Sequence, residues 1–210
     1  MCEYFKNPDR LLSLLATVIS IIALWQTQRQ IKFSNKQQLF DRRLSDYLVL
    51  KDLAKNYREV GERCELNDNE GWLFHAGVVL YFLLSNSFFE PASDIRTQPD
   101  DIRLQKELFA KRVELRKISE EMSIIFKRDI SSVACDFISA YERAVKNSHE
   151  FVWAWHSPDT KYPSGMGDEL LREREEKRKE LEIDLIHLRE AFQVLEKENT
   201  EQKMKRYMKI

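Results

Sequence analysis

Glycine and proline are scarce in this sequence, with five of each among 210 residues. Sheet-rich and loop-rich proteins need both residue types at their turns, so this scarcity favours long helices. The cysteines are odd in number and far apart (Cys2, Cys64 and Cys135), which argues against a disulfide framework. The formal net charge is −1, so the chain as a whole has no electrostatic attraction to nucleic acid or acidic lipid. We expect an all-α protein with reduced cysteines.

Motifs that carry enzyme chemistry are also missing. The sequence has neither a glycine-rich phosphate loop nor the G-x-S-x-G motif of a nucleophilic serine. The four histidines are His75, His149, His156 and His187. They do not have the spacing of metal ligands with each other or with the cysteines. We interpret His75, which lies in an apolar run, as a core residue. We therefore expect no enzymatic activity and no bound cofactor or metal.

One long uncharged segment stands out, LLSLLATVISIIALW from Leu11 to Trp25, continued by polar residues to Gln28. Roughly 18 helical residues span about 27 Å, close to the hydrocarbon core of about 30 Å. We predict a transmembrane helix over residues 11–28, preceded by an N-terminal tail over residues 1–10. Two alternatives are a cleaved signal peptide, for which the small-residue cleavage site is missing, and a buried helix of a soluble protein.

Basic residues flank this segment unequally: Lys6 and Arg10 precede it, and Arg29, Lys32, Lys36, Arg42 and Arg43 follow it. Membrane proteins carry an excess of Lys and Arg on the cytoplasmic side. We therefore predict a single-pass protein whose residues 29–156 form a cytoplasmic helical domain.

Helical periodicity is typical of most of this domain. Apolar residues recur at roughly helical spacing, with charges between them, over residues 39–60, 102–126 and 130–155. Residues 72–89 are apolar except for His75 and a late Ser-Asn-Ser interruption. This segment is either a second membrane helix or the centre of a helical bundle, and the interruption favours the bundle.

After a predicted linker over residues 157–167, residues 168–210 have the composition of one long charged helix. Its apolar residues are spaced alternately by four and three positions, as in a coiled-coil seam, and an asparagine occupies the next position of that seam. The six seam residues are Leu181, Leu185, Leu188, Phe192, Leu195 and Asn199. The seam predicts self-association. It covers only about two heptads, so a helix that packs onto the chain's own body is the alternative.

Hydroxyl-bearing residues share one face of the apolar segment, with spacings of four, three and seven: Ser13, Thr17, Ser20 and Thr27. Three interpretations are open. The hydroxyls bond to backbone carbonyls of their own helix, the face packs closely against other copies of the helix, or it lines a narrow aqueous pore between several copies. The last two require a homo-oligomer.

Three adjacent basic residues, Lys177, Arg178 and Lys179, are a possible site for the phosphate groups of a ligand. Glutamates are interleaved with them and with the basic residues nearer the C-terminus. Such alternation favours a solvated helix face.

The order of the segments resembles that of a group of small bacterial membrane-anchored helical proteins. The N-terminal membrane helix is followed by FDRRLSDY (40–47), FLLSNSFFE (82–90), EEMSIIF (120–126) and DFISAYERAV (136–145). This layout is similar to that of membrane effectors of bacterial anti-phage systems of the Hailong type. The resemblance implies a channel in the bacterial inner (plasma) membrane that is held closed by a nucleotide or oligonucleotide signal from a partner nucleotidyltransferase.

Taken together, these features predict a homo-oligomeric, membrane-anchored effector that forms a regulated pore or disrupts the membrane potential in anti-phage defence. Its expected partners are further copies of itself, membrane lipid and the nucleotide signal. The alternative is a membrane tether that recruits a cytoplasmic partner through its helical body and coiled-coil tail.

Overall fold

The computed structural model describes residues 8–64, 72–156 and 167–208. Within these ranges, the side chains of residues 8–11, 72–75, 155–156, 167–168 and 170 are not described. Residues 1–7 of the predicted tail and residues 157–166 of the predicted linker therefore lie outside the described part of the chain.

The described residues form helices and no strand, so the predicted all-α class is confirmed. The six α-helices of these ranges are α1 (Pro8–Val60), α2 (Trp72–Leu84), α3 (Ile102–Ile125), α4 (Arg128–His156), α5 (Gly167–Lys197) and α6 (Thr200–Tyr207). Two 3-10 helices, Gly61–Cys64 and Glu90–Arg96, lie between them. The chain divides into two compact units, Met1–Arg42 and Arg43–Ile210.

In the first unit the structure describes the beginning of α1, whose apolar side chains are exposed from Leu12 to Trp25. No helix of the described residues is long and apolar enough to cross a membrane. The transmembrane helix predicted over residues 11–28 is therefore not supported. Hydroxyl-bearing residues interrupt the apolar ones, and Gln26 to Arg29 end the apolar segment.

The second unit, here called the helical body, is built around α4, which contacts α2, α3 and α5. Apolar residues recur every three or four positions along α4, so they form one continuous face. That face is buried: Ala134, Phe137, Ile138, Tyr141, Ala144 and Val145. The core of the helical body therefore lies where three helices cover this face.

Helix α2 supplies part of this core. Its residues Ala76, Val79, Leu80, Leu83 and Leu84 are all buried, and α2 contacts α4. This burial matches the interpretation of residues 72–89 as a bundle helix rather than as a second membrane segment.

Asp101 is the N-cap of helix α3, and its carboxylate accepts hydrogen bonds from the backbone amides of Arg103 (2.7 Å) and Leu104 (3.3 Å). Such an N-cap satisfies amides that have no partner within the helix. The buried residues of α3 face α4 and are spaced by four or seven positions: Leu104, Leu108, Leu115 and Met122.

The charged C-terminal tract is two helices rather than one. Asn199, with φ of 51°, lies in the left-handed region between α5 and α6. Asparagine adopts this conformation more readily than most residues, so it can end one helix and begin another. Helix α6 then docks through Tyr207, whose ring is 5.9 Å from that of Phe126 and 4.6 Å from the guanidinium carbon of Arg43.

Candidate membrane-contacting segment

The apolar segment of α1 from Leu12 to Trp25 forms an extended exposed surface. Leu14, Ile19 and Leu24 expose 65%, 64% and 66% of their surface. At 3.6 residues per turn these side chains point in different directions, so apolar surface covers much of the helix circumference. Large contiguous apolar surfaces of this kind mark sites of contact with a membrane or a protein.

Three of the four hydroxyl groups on the predicted hydroxyl-bearing face donate hydrogen bonds within the helix. Thr17 Oγ1 donates to the carbonyl of Ser13 at 2.9 Å, Ser20 Oγ donates to the carbonyl of Ala16 at 2.8 Å, and Thr27 Oγ1 donates to the carbonyl of Ala23 at 2.9 Å. These bonds agree with the first of the three interpretations given for this face. A satisfied hydroxyl can enter an apolar environment at little cost. The roles of Ser13, Thr17, Ser20 and Thr27 in helix packing or pore lining stay predictions.

The predicted coiled-coil seam is occupied by the chain's own core. Leu181, Leu185, Leu188 and Leu195 are buried, and α5 contacts α4. The ring of Phe192 lies 5.0 Å from that of Tyr57 and 5.8 Å from that of Phe137. The structure therefore has the alternative arrangement, in which the helix packs on the body, because the apolar face of α4 covers the seam.

Asn199, the sixth seam position, is exposed at the junction of α5 and α6. Its left-handed backbone takes it out of the helical seam. The structure places Asn199 at the connection between the two helices, and its predicted role in register stays a prediction.

The basic residues predicted as a ligand site are paired with carboxylates. Lys177 Nζ lies 2.9 Å from Glu150 Oε2 and 2.8 Å from Glu180 Oε2, and Arg178 and Lys179 both contact Glu175, at 2.9 and 3.9 Å. Burial lowers the pKa of Lys177, but its hydrogen bonds to Glu180 and Glu150 outweigh this and raise the pKa above its ordinary value. Lys177 thus links α5 to α4 and is not an open anion site.

Titratable groups that could bind metal or act as nucleophiles do not converge within the part of the chain that the structure describes. Among the residues that the structure describes, no group of three or more His, Cys, Asp or Glu side chains could hold a metal ion. Burial raises the pKa of the Cys64 thiol to about 12. Cys135 Sγ donates to the carbonyl of Ser119 at 3.0 Å, and burial raises its pKa as well. Both thiols therefore stay protonated, and a protonated thiol is a poor nucleophile.

The structure contains a buried polar cluster that was not predicted from the sequence. Asn56 Nδ2 and Asn86 Nδ2 donate to the hydroxyl of Tyr141 at 2.9 and 3.2 Å, and this hydroxyl donates to the carbonyl of Leu83 at 2.7 Å. The available signals in the sequence were the Ser-Asn-Ser interruption that contains Asn86 and the position of Asn56 three residues after Leu53 on the apolar face. The cluster joins α1, α2 and α4 at the centre of the helical body.

No known protein family, curated protein or solved structure matches the chain. The likeness to membrane effectors of anti-phage systems therefore stays a prediction.

Proposed function

We propose that this chain is a membrane-associated effector that acts as a homo-oligomer and permeabilises lipid membranes. The observation that carries the proposal is the exposure of nine large apolar side chains between Leu12 and Trp25. Burying one such side chain contributes about 1.5–3 kcal/mol. Covering all nine is therefore worth on the order of 10 kcal/mol, which is comparable to the stability of a whole domain.

Lipid fits this segment better than the groove of a partner protein. A groove covers one face of a helix, whereas the apolar side chains of this segment lie on several faces. The hydroxyl groups of Thr17 and Ser20 already donate to backbone carbonyls, so contact with hydrocarbon leaves these two donors satisfied.

Self-association gives the hydroxyl-bearing face a role. Small residues let helices approach closely, and this face carries Ser13, Thr17 and Ser20 with Ala16 and Ala23 beside them. These residues make a single helix less apolar, but in an oligomer their face is turned away from lipid. Such a face either packs against neighbouring copies or lines the water between them, and water between the copies is a route for ions.

Dye release from vesicles tests the proposal. We expect the full-length chain to release a small anionic dye from phospholipid vesicles and to depolarise bacteria in which it is induced. Thr17→Leu adds bulk to the hydroxyl-bearing face and should strongly reduce both effects. Ile22→Leu places the same residue on the opposite face and serves as the matched control.

Membrane-bound oligomers that release no dye would contradict the permeabilising function. Equal release by the Thr17→Leu and Ile22→Leu variants would contradict the role of the hydroxyl-bearing face. Both variants change side chains that are exposed in the structure. Neither should therefore alter the folding of the helical body, which circular dichroism can verify.

The second candidate is a membrane tether, and a surface of α3 favours it. Ile102, Phe109 and Val113 are spaced by seven and four positions, so they share one face, and they expose 67%, 58% and 44% of their surface. A protein partner can dock on such a face. Replacing residues 11–28 with an unrelated transmembrane helix should preserve the activity of a tether and abolish that of a pore.

A further inference from the structure

Charge is distributed unevenly along α1. The chain contains 35 acidic residues, yet not one lies between Arg10 and Phe40. Arg29, Lys32 and Lys36 fall within this acid-free stretch, directly after the apolar segment. The net charge of −1 therefore conceals a local positive excess at one end of that segment.

Basic residues of the helical body are arranged differently. Many of them pair with a glutamate three or four positions away, as Arg103 does with Glu107 and Lys111 with Glu114. No acidic residue stands three or four positions from Arg29, Lys32 or Lys36. Their charges are thus available to an external anion.

Aromatic and basic side chains share one face of this stretch. Trp25, Arg29, Lys32, Phe33 and Lys36 fall at helical spacing on one side of α1 and are exposed. The guanidinium carbon of Arg29 is 5.8 Å from the centre of the Trp25 ring, and Phe33 exposes 69% of its surface. Trp25, Arg29 and Phe33 line a shallow open groove together with two glutamines, Gln26 and Gln30.

We propose that this face, from Trp25 to Lys36, binds the phosphate groups of anionic phospholipids. The proposal rests on the membrane association proposed above and names the lipid class that it selects. Trp25 ends the apolar segment, and aromatic side chains at that position prefer the interface between hydrocarbon and head groups. Arg29 follows one helical turn later, at about the depth of the phosphates. Lys32 and Lys36 lie within roughly a Debye length of a charged membrane surface.

Vesicle flotation with two lipid compositions tests the inference on the full-length chain. One set of vesicles is pure phosphatidylcholine, and the other contains phosphatidylglycerol as well. We expect tighter binding to the second set, and we expect high salt to weaken this preference. The Lys32→Gln/Lys36→Gln variant should lose about fivefold in affinity for the anionic vesicles per lysine, or about 30-fold in total. Its affinity for pure phosphatidylcholine should not change.

A matched control removes two lysines from the helical body. Lys55 and Lys117 have side chains that are 68% and 73% exposed, and each pairs with a glutamate four positions later. Lys55→Gln/Lys117→Gln makes the same change in net charge and should keep the preference for anionic vesicles. A loss of preference in this control would mean that overall charge, rather than the face from Trp25 to Lys36, selects the lipid.

The possible failures of the two proposals are distinguishable. Equal binding of the parent chain to both vesicle types, or an unchanged preference in the Lys32→Gln/Lys36→Gln variant, would overturn the lipid selectivity and leave membrane association intact. Failure of the parent chain to float with either vesicle type would overturn membrane association, and the selectivity with it.

Discussion

The hydroxyl group of Tyr141 donates a hydrogen bond of 2.7 Å to the backbone carbonyl of Leu83. The same oxygen accepts a hydrogen bond of 2.9 Å from Asn56 Nδ2, so one phenol joins three helices of the body. Tyr141 is fully buried, and its burial raises the pKa of the hydroxyl far above the ordinary value. The hydroxyl therefore remains protonated, and a hydrogen-bond donor, at neutral pH.

We expect Tyr141→Phe to lower the free energy of unfolding by about 1–3 kcal/mol, because it removes an acceptor from the buried amide of Asn56 and the half-buried amide of Asn86, and a donor from a buried carbonyl. Urea unfolding followed by circular dichroism measures the change. Tyr81→Phe is the matched control, since Tyr81 is 48% exposed and should lose little. Equal stability of the two variants would show that the cluster contributes nothing beyond packing.

The burial of the C-terminal seam makes a prediction about Leu188, which has no exposed surface. Leu188→Ala leaves a cavity between α5 and α4 and should destabilise the helical body by about 2–5 kcal/mol. Ile183→Ala, on the exposed side of the same helix, should change stability by less than about 0.5 kcal/mol.

Sedimentation of the same two variants checks where the seam packs. If the seam mediated contact between copies, Leu188→Ala would dissociate oligomers and leave the stability of the monomer unchanged. The structure predicts the opposite. Leu188→Ala should make the helical body less stable, and the variant molecules that remain folded should associate as the parent chain does.

Helices α3 and α4 and the second half of α1 could be predicted from sequence because each carries its own apolar periodicity. The apolar residues of α4 recur every three or four positions, and the structure buries them as one face. The partner of the C-terminal seam could not be predicted in this way. A seam of alternating spacing fits a second copy and the chain's own α4 equally well, and only the three-dimensional arrangement decides between them.

Two further features depended on information that periodicity does not contain. Asn199 has a left-handed backbone conformation, which the spacing of apolar residues does not reveal. The heptad spacing therefore predicted that this residue continues the seam. The pairing of Lys177 with Glu150 joins residues 27 positions apart. Sequence distance therefore concealed the partner that makes Lys177 part of the fold and not a ligand site.

A buried ion pair between α3 and α4 gives a third prediction. Arg112 Nε lies 2.8 Å from Glu142 Oε1, and the two side chains are only 13% and 8% exposed. Arg112→Leu removes the closer partner of a buried carboxylate and leaves Arg116 Nε, 3.7 Å from the same oxygen, as its remaining partner. We expect it to destabilise the protein by up to about 3–5 kcal/mol, the range for a buried charge left without any partner.

Two comparison variants distinguish the effect of losing the ion pair from the general effect of replacing a charged side chain with leucine. Lys117→Leu, at a side chain that is 73% exposed, should be nearly neutral. Arg112→Leu/Glu142→Leu should recover much of the stability that the single variant loses, because no charge is then left buried and unpaired. A double variant as unstable as the sum of its single changes would contradict this account.

The last prediction concerns the pH dependence of stability through His149. Burial lowers the pKa of its imidazole below the ordinary 6.5, and the positive charge of Arg112 lowers it further, against an opposing effect of Glu150. The folded chain therefore keeps His149 neutral at pH values where the unfolded chain protonates it. The resulting stabilisation is complete above about pH 6.5 and is lost progressively as the pH falls toward the folded-state pKa.

The His149→Gln variant has no titratable side chain at this position in either the folded or the unfolded state. Its free energy of unfolding should therefore lack the part of the pH dependence that comes from His149. We expect the free energy of unfolding of the parent chain to fall faster between about pH 6.5 and 5 than that of the variant, by up to about 1.4 kcal/mol per pH unit. Urea unfolding of both proteins at several pH values measures the difference in slope. Because other groups titrate in both proteins alike, parallel curves would mean that His149 has the same proton affinity in the folded and unfolded chains.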